Sequence, residues 1–201
     1  MSSCLDTIFS RVSVRMFKPD PIPMDVLKRI VEAGIRAPTA GGGQEWYFII
    51  IVSEEKRKKI HELLKKAHIL YAEKVLRKPL RREVMEKWVK VMEEGEYLAP
   101  AYIAGYVDLR EPIYSDNYRE LERLWAHQSI AAAFENMILA AWSMGIGSVW
   151  LGVPLLMEKE FNEVLEPPSG LELAGILALG YPEEQPKPRK RKSLEEVLKI
   201  I

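Results

Sequence analysis

The sequence predicts one domain of mixed α/β type, on three observations. Apolar runs rich in β-branched residues recur at 47–52, 99–109, 147–152 and 171–180. Segments with apolar residues at helical spacing separate them, so strands alternate with helices. A chain of 201 residues suffices for one sizeable domain, or one domain with an excursion.

Each element follows from its own signal. Pro23 to Ala37 reads as a helix. Val26, Leu27, Ile30, Val31 and Gly34 repeat at helical spacing, and Pro38 stops it. Tyr47 to Val52 is a continuous apolar run, expected as a buried strand. Ser53 is an N-cap, and Glu54 and Glu55 suit the positive end of the helix that runs from there to about Ile69. Residues 70–98 are charged and amphipathic, one or two exposed helices. "APAYIAGYVDL" (99–109) is a second strand, and 110–124 is a tyrosine-rich loop entering a helix. Residues 125–144 are apolar almost all round, which predicts a central helix. Its alanines (131, 132, 133, 140 and 141) permit close approach of another helix, and Gly145 fits its C-terminal cap. "GSVWLG" (147–152) is a strand, Pro154 to Leu165 an amphipathic helix, and "LELAGILALG" (171–180) a strand. The basic tail "KPRKRK" (187–192) leads into "SLEEVLKII", whose end is a strand or a short helix.

Composition removes several function classes. Basic and acidic residues balance at 29 each, so no global field draws nucleic acid or membrane. The basic tail has no interleaved aromatic residues, a poor nucleic-acid signal. A single cysteine, Cys4, excludes an internal disulfide framework and a multi-cysteine metal site and suits a reducing, cytoplasmic setting. The start "MSSCLDTIFSR" is unlike a signal peptide. The most apolar stretch, Ser129 to Trp142, is broken by Glu135 and Asn136 and is too short to cross a bilayer. His61, His68 and His127 have no metal-ligand pattern and are expected at the surface or an interface.

Two stretches carry chemistry. In "RAPTAGGGQEWYFIIIV" (36–52) a glycine run sits between a helix and a strand. A phosphate loop has the opposite order, strand to glycines to helix, and no lysine-serine pair follows here. The glycines are therefore a plain turn or a place where a flat ligand lies against backbone. In "RVSVR" (11–15), an extended chain puts Arg11, Ser13 and Arg15 on one side and Val12, Val14 and Met16 on the other. Two guanidinium groups and a hydroxyl suit a phosphate monoester. A solvated edge strand is the plainer alternative.

Taken together, these stretches resemble the nitroreductase family of flavin mononucleotide (FMN) enzymes. "RVSVRMF" is similar to the family's Arg-x-Ser-x-Arg-x-Phe. "APTAGGGQEWYFIIIV" is similar to Ala-Pro-Ser-x-x-Asn-x-Gln-Pro-Trp-x-Phe and the strand after it. "ENMILAAWSMGIGSVWLG" and "LALGYPEEQPKPRKRKSLEEVL" are similar to the central helix with its glycine turn and to the last strand with its basic tail. The four blocks occur in family order and bracket nearly the whole chain.

The resemblance implies an α+β fold, with helices around a central, mainly antiparallel sheet. It implies a single FMN-binding domain over 1–201, with about 70–125 as a variable helical excursion or lid. It also implies an intertwined homodimer whose C-terminal extension reaches the partner. Arg11 and Arg15, with Val12 and Ser13, stand where the family contacts the flavin phosphate, ribityl chain and ring edge. Arg189 and Arg191 match the tail cations that complete the phosphate site. Pro38, Thr39, Ala40 and Gly42 match the loop reaching FMN from the other subunit. Leu151, Gly152 and Val153 match the backbone against the isoalloxazine. Gln44 and Trp46 support the loop, and no side chain is assigned a catalytic role. Gly42 replaces the family asparagine, Glu45 the proline and Thr39 the serine. The implied activity is reduction of nitroaromatics, quinones or a related small acceptor, with NADH or NADPH as reductant and ping-pong hydride transfer through FMN. Dehalogenation, flavin breakdown or non-catalytic flavin binding on the same scaffold are the alternatives.

Overall fold

The computed structural model describes residues 3–184 and 186–201. Four strands form one sheet: β1 (Trp46–Ile51), β2 (Ala101–Asp108), β3 (Gly147–Leu151) and β4 (Leu171–Gly180), in the order β1-β2-β4-β3. All three pairings are antiparallel. The alternation of strands and helices therefore builds an α+β sheet, not a parallel α/β one, as the resemblance implied. Alternation along the chain does not carry strand direction, because a helix can return the chain to either end of a sheet.

Among the described residues six α-helices accompany the sheet: α1 (Cys4–Ser10), α2 (Met24–Gly34), α3 (Glu54–Leu70), α4 (Arg82–Glu93), α5 (Arg119–Ser143) and α6 (Glu158–Leu165). The core divides into two layers by the two-residue period of the strands. Tyr102, Ala104 and Tyr106 of β2 face Ile60 and Leu64 of α3, Met92 of α4 and Phe161 of α6. Ala101, Ile103 and Val107 face the other way, onto Leu27 and Ile30 of α2 and Ile130, Phe134 and Met137 of α5. A bulge keeps this assignment intact: Gly105 pairs with Gly175 but Tyr106 with Leu173, so Ala174 is the extra residue. Leu173 and Ala174 then fall in opposite layers to those their distance from Ile176 would give in an unbroken strand.

Three sequence expectations change. The 47–52 run is not a buried strand: β1 pairs only with β2, and its burial is partial apart from Ile51. α5 is not enclosed by its own chain. It buries Ala126, Ile130, Ala133, Phe134, Met137 and Ala141, while Leu124 and Glu135 are exposed and Ala131, Ala132 and Ala140 are half-buried. The end of the chain is neither strand nor helix but a turn over 195–197 with exposed Leu194, Val197 and Leu198. The 70–125 span also includes β2, at the middle of the sheet. Outside β2, the span holds α4, a π-helical turn at Tyr71–Val75, and the segment 109–118 that leads into α5.

Other signals act as expected. The Ser53 hydroxyl accepts from Lys56 N at 3.5 Å at the start of α3. Gly145, at φ 77°, ends α5 in the left-handed conformation that glycine adopts without Cβ strain.

Candidate functional site

The site is built on the edge of the sheet. The segment 11–18, here called the arm, leaves α1 and runs beside β3. Ser13 bridges Ser148 in parallel, and Val14 N donates to Ser148 O at 3.0 Å. Val14 is buried against Gly147, where a Cβ would stand 2.5 Å from a Val14 methyl. That anchoring leaves Arg11, Ser13 and Arg15 half-exposed. The arm then meets the start of the tail: Phe17 bridges Pro182, Lys18 N donates to Tyr181 O at 2.9 Å and Glu183 N to Met16 O at 3.2 Å. The main chain alone thus sets the basic tail off from the arm.

Arg11, Arg15, Arg189 and Arg191 form no ion pair with a carboxylate among the described residues. Other charges pair at the surface, as in Arg123–Glu172 at 2.6 Å. Four arginines and a serine hydroxyl without carboxylate partners are a donor set for an anion. Four residues along β3 from Ser148, about 13 Å at strand rise, the backbone opens at Gly152. A Cβ there would meet nothing within 4 Å. Leu151 is buried and Val153 half-buried on either side of it. An extended phosphate ester carrying a flat ring can span from the arm to this open backbone.

The glycine loop is a short 3-10 turn (Ala40–Gly42) between α2 and β1, so the helix-glycine-strand order holds. Gly41 and Gly42 have φ 59° and 75°. The Thr39 hydroxyl accepts from Gln44 N at 3.2 Å, a bond that closes the loop from within. Pro38 and Gly42 are exposed, and a Cβ on Gly42 would have nothing within 4 Å. Glu45 is buried, and neither carboxylate oxygen has a hydrogen-bond partner among the described residues. Gly43 makes room for it, since a Cβ there would collide with that carboxylate.

Loop and arm lie at opposite ends of α5. The loop packs against Ile113 and Tyr114. Ile113 N donates to the buried Glu122 carboxylate at 2.7 Å, and the Tyr114 ring meets Trp125 at 5.0 Å. The arm end is marked by Trp142, whose indole N–H donates to Ser10 Oγ at 3.0 Å. Trp125 and Trp142 are about 25 Å apart along the helix axis. One chain therefore does not bring its own loop onto its own arm. Arg191 and Pro38, named from the sequence with the arm, have no recorded contact to it.

Sequence reasoning missed the wall behind the arm. His61 and His68, expected at the surface or an interface, are buried within the chain's own fold. The His68 ring stacks on Tyr97 at 4.7 Å and 12° and meets Trp88 edge-on at 5.1 Å. Its Nδ1 lies 2.8 Å from Leu64 O, so the ring is held as the tautomer that donates there. Burial pushes the His68 imidazole below its ordinary value, with a smaller push from the Arg15 charge; burial likewise lowers His61 and raises Glu96. A seven-residue spacing on a charged helix gives no warning of this, because the covering residues come from 88–97, far along the chain.

Among the described residues no helix is long and apolar enough to cross a membrane, and no group of three or more acidic, histidine or cysteine side chains could hold a metal.

Comparison with known proteins agrees with the geometry. A protein of Archaeoglobus fulgidus provisionally named an NADH dehydrogenase/NAD(P)H nitroreductase is 29% identical over 187 residues, 92% of this chain and 88% of its own. A BluB-like flavoprotein from Clostridium difficile 630 superposes with a TM-score of 0.78 at 26% identity, over 100% of both chains. A nitroreductase with bound FMN from Bacteroides fragilis superposes with a TM-score of 0.71, also at 26% identity and over 100% of both chains. The model of the nitroreductase family matches residues 8–181, from the end of α1 through the last strand, and the chain belongs to that family.

Proposed function

We propose that this protein is an FMN-dependent oxidoreductase that uses NADH or NADPH to reduce a small acceptor, of nitroaromatic, quinone or related type, as a homodimer. The observation that carries the reading is the arm: arginines without carboxylate partners, laid along β3 and about 13 Å from open backbone at Gly152. That donor set fits a phosphate, and that spacing fits the ribityl chain and ring attached to it. The family, and a relative of similar length named for NAD(P)H, support the reductant.

The two-electron chemistry between nicotinamide and acceptor belongs to bound FMN. Arg11, Val12, Ser13 and Arg15 hold and orient its phosphate and ribityl end, and Arg189 and Arg191 complete the charge. Leu151, Gly152 and Val153 offer backbone to the ring. Backbone N–H groups of that segment would present fixed donors to the ring without reorganising, the general form of electrostatic preorganisation. Pro38, Thr39, Ala40 and Gly42 belong to the site of a second copy, because in one chain loop and arm are tied to points of α5 about 25 Å apart along its axis. The outer face of α5, with Ala131 and Ala132 half-buried, is where two copies can approach closely.

A second reading, another flavin reaction such as dehalogenation or flavin breakdown, is favoured by one observation. The space beside Gly42 is open, where the family motif has an asparagine. A visible absorption spectrum separates the readings. The purified protein with added FMN should show a protein-bound flavin band that bleaches with NADH or NADPH and returns with a quinone. Failure to bind FMN overturns both; bound FMN that neither nucleotide bleaches overturns the first.

A further inference from the structure

Four residues of β3 are buried, but Trp150 is 41% exposed. Strand register fixes the way it points. Val149 and Leu151 share a core layer with Val14, on the side of α3 and α6. Ser148, Trp150 and Gly152 therefore look to the opposite face. The Ser13–Ser148 bridge puts Ser13 on that face too, and the extended arm adds Arg11 and Arg15. Trp150 thus stands midway between the arm and the open backbone, two residues or about 6.6 Å along the strand from both Ser148 and Gly152.

The indole is also held in place. It meets the fully buried Phe134 of α5 edge-on, at 5.2 Å and 82°. A Cβ on Gly175 would stand 2.7 Å from Trp150 Nε1, so the indole occupies the room that this glycine leaves. Leu151 pairs with Ile176, and one further step of that register sets Gly175 opposite Gly152. The indole therefore leans along the sheet toward Gly152 and away from the arm.

We propose that Trp150 is a cofactor-contacting residue: its exposed indole is the apolar surface on which the flat ring rests, at the end of the ligand away from the phosphate. A lone exposed tryptophan is ordinary at a protein surface. This one shares its face with arginines that have no carboxylate partner and with a glycine that leaves the backbone open. The cations recognise charge, and the indole recognises an aromatic face.

The inference rests on the FMN reading, and its test separates the two. The affinities of FMN and of riboflavin, which lacks the phosphate, are measured by equilibrium dialysis for the wild type, Trp150→Ala and Arg11→Ala. Trp150→Ala should weaken both flavins by the same factor, roughly tenfold, the scale of one lost stacking contact. Arg11→Ala should weaken FMN and spare riboflavin. Unchanged affinity for both flavins in Trp150→Ala overturns the proposal. A wild type that binds no FMN overturns the function proposed above instead. A loss of folding or assembly would also weaken both flavins, so Trp150→Phe supplies a second readout. It keeps a ring against Phe134, and the emission lifetime of bound flavin is read at saturation. An indole in contact with a flavin quenches its emission, and a phenyl ring does not. The lifetime should lengthen in Trp150→Phe with either flavin. An unchanged lifetime shows that the indole faces a second copy or solvent, and overturns the contact.

Discussion

Glu45 carries a carboxylate into a place where nothing among the described residues donates to it. Burying a polar group without a partner costs free energy, and removing the charge recovers part of it. Glu45→Gln is thus expected to stabilise the isolated chain by roughly 1 kcal/mol, read from urea unfolding. A loss of stability instead would show that the carboxylate has a partner within the chain. The arginines make the opposite kind of case, since they are free of carboxylates and poised for a ligand. Arg11→Ala and Arg191→Ala should each weaken FMN binding by about 1.5–3 kcal/mol, the range for hydrogen bonds to charged groups. Unchanged FMN affinity in both, by titration calorimetry, would remove the phosphate assignment. These residues were legible in the sequence because charge and spacing are local properties. Tyr97 was not, because neither its left-handed backbone, at φ 68°, nor the bond from its N–H to Arg15 O has a local signature.

At the scale of the element, the central strands and α5 lock together through missing side chains. Gly105 and Gly175 are paired across β2 and β4, and the Phe134 ring of α5 fills the slot above them. A Cβ on Gly105 would stand 2.6 Å from Phe134 Cζ. Phe134 is fully buried, so its ring has nowhere to move. Gly105→Ala should destabilise by about 1–3 kcal/mol, the usual cost of overpacking a closed core. A midpoint of thermal unfolding equal to wild type would show that the slot is soft. The α3 helix makes a pH prediction. Burial lowers the pKa of His61 and His68 from 6.5 in the fold. The native state then holds fewer protons than the unfolded chain just below pH 6.5, so stability falls as pH drops through that window. Glu96, raised from 4.5 by burial, works in the opposite sense, losing stability as pH rises past its ordinary value. A His61→Gln, His68→Gln variant should show a shallower loss of thermal stability as the pH is lowered from about 8 to about 5. An identical profile in the variant would show that neither histidine is responsible.

At the scale of the whole molecule, the glycine loop and the arm lie at opposite ends of α5. If the loop of one copy serves the arm of the other, two defective copies should complement. A heterodimer of Arg11→Ala with a loop-blocked Gly42→Val subunit has one intact arm facing one intact loop. Co-expressed and separated by tag, it should bind about one FMN per dimer, while each parental homodimer binds weakly. No recovery in the heterodimer would mean that loop and arm serve the same chain's site, or separate ones.

The sequence by itself determined the four strands and most of the helices, the basic arm, and the helix-glycine-strand order of the loop. Each is set within a few residues by periodicity, charge and the order of glycine between helix and strand. Family membership was also legible, because four local blocks in the right order suffice. Only the tertiary structure decided strand direction, the edge position of β1, the bulge at Ala174 and the burial of His61 and His68. It alone set Tyr97 behind Arg15 and separated the loop from the arm. The physical reason is the same in every case. These features depend on which distant segments pack together, and burial and pairing across the chain leave no trace in the local pattern of residues.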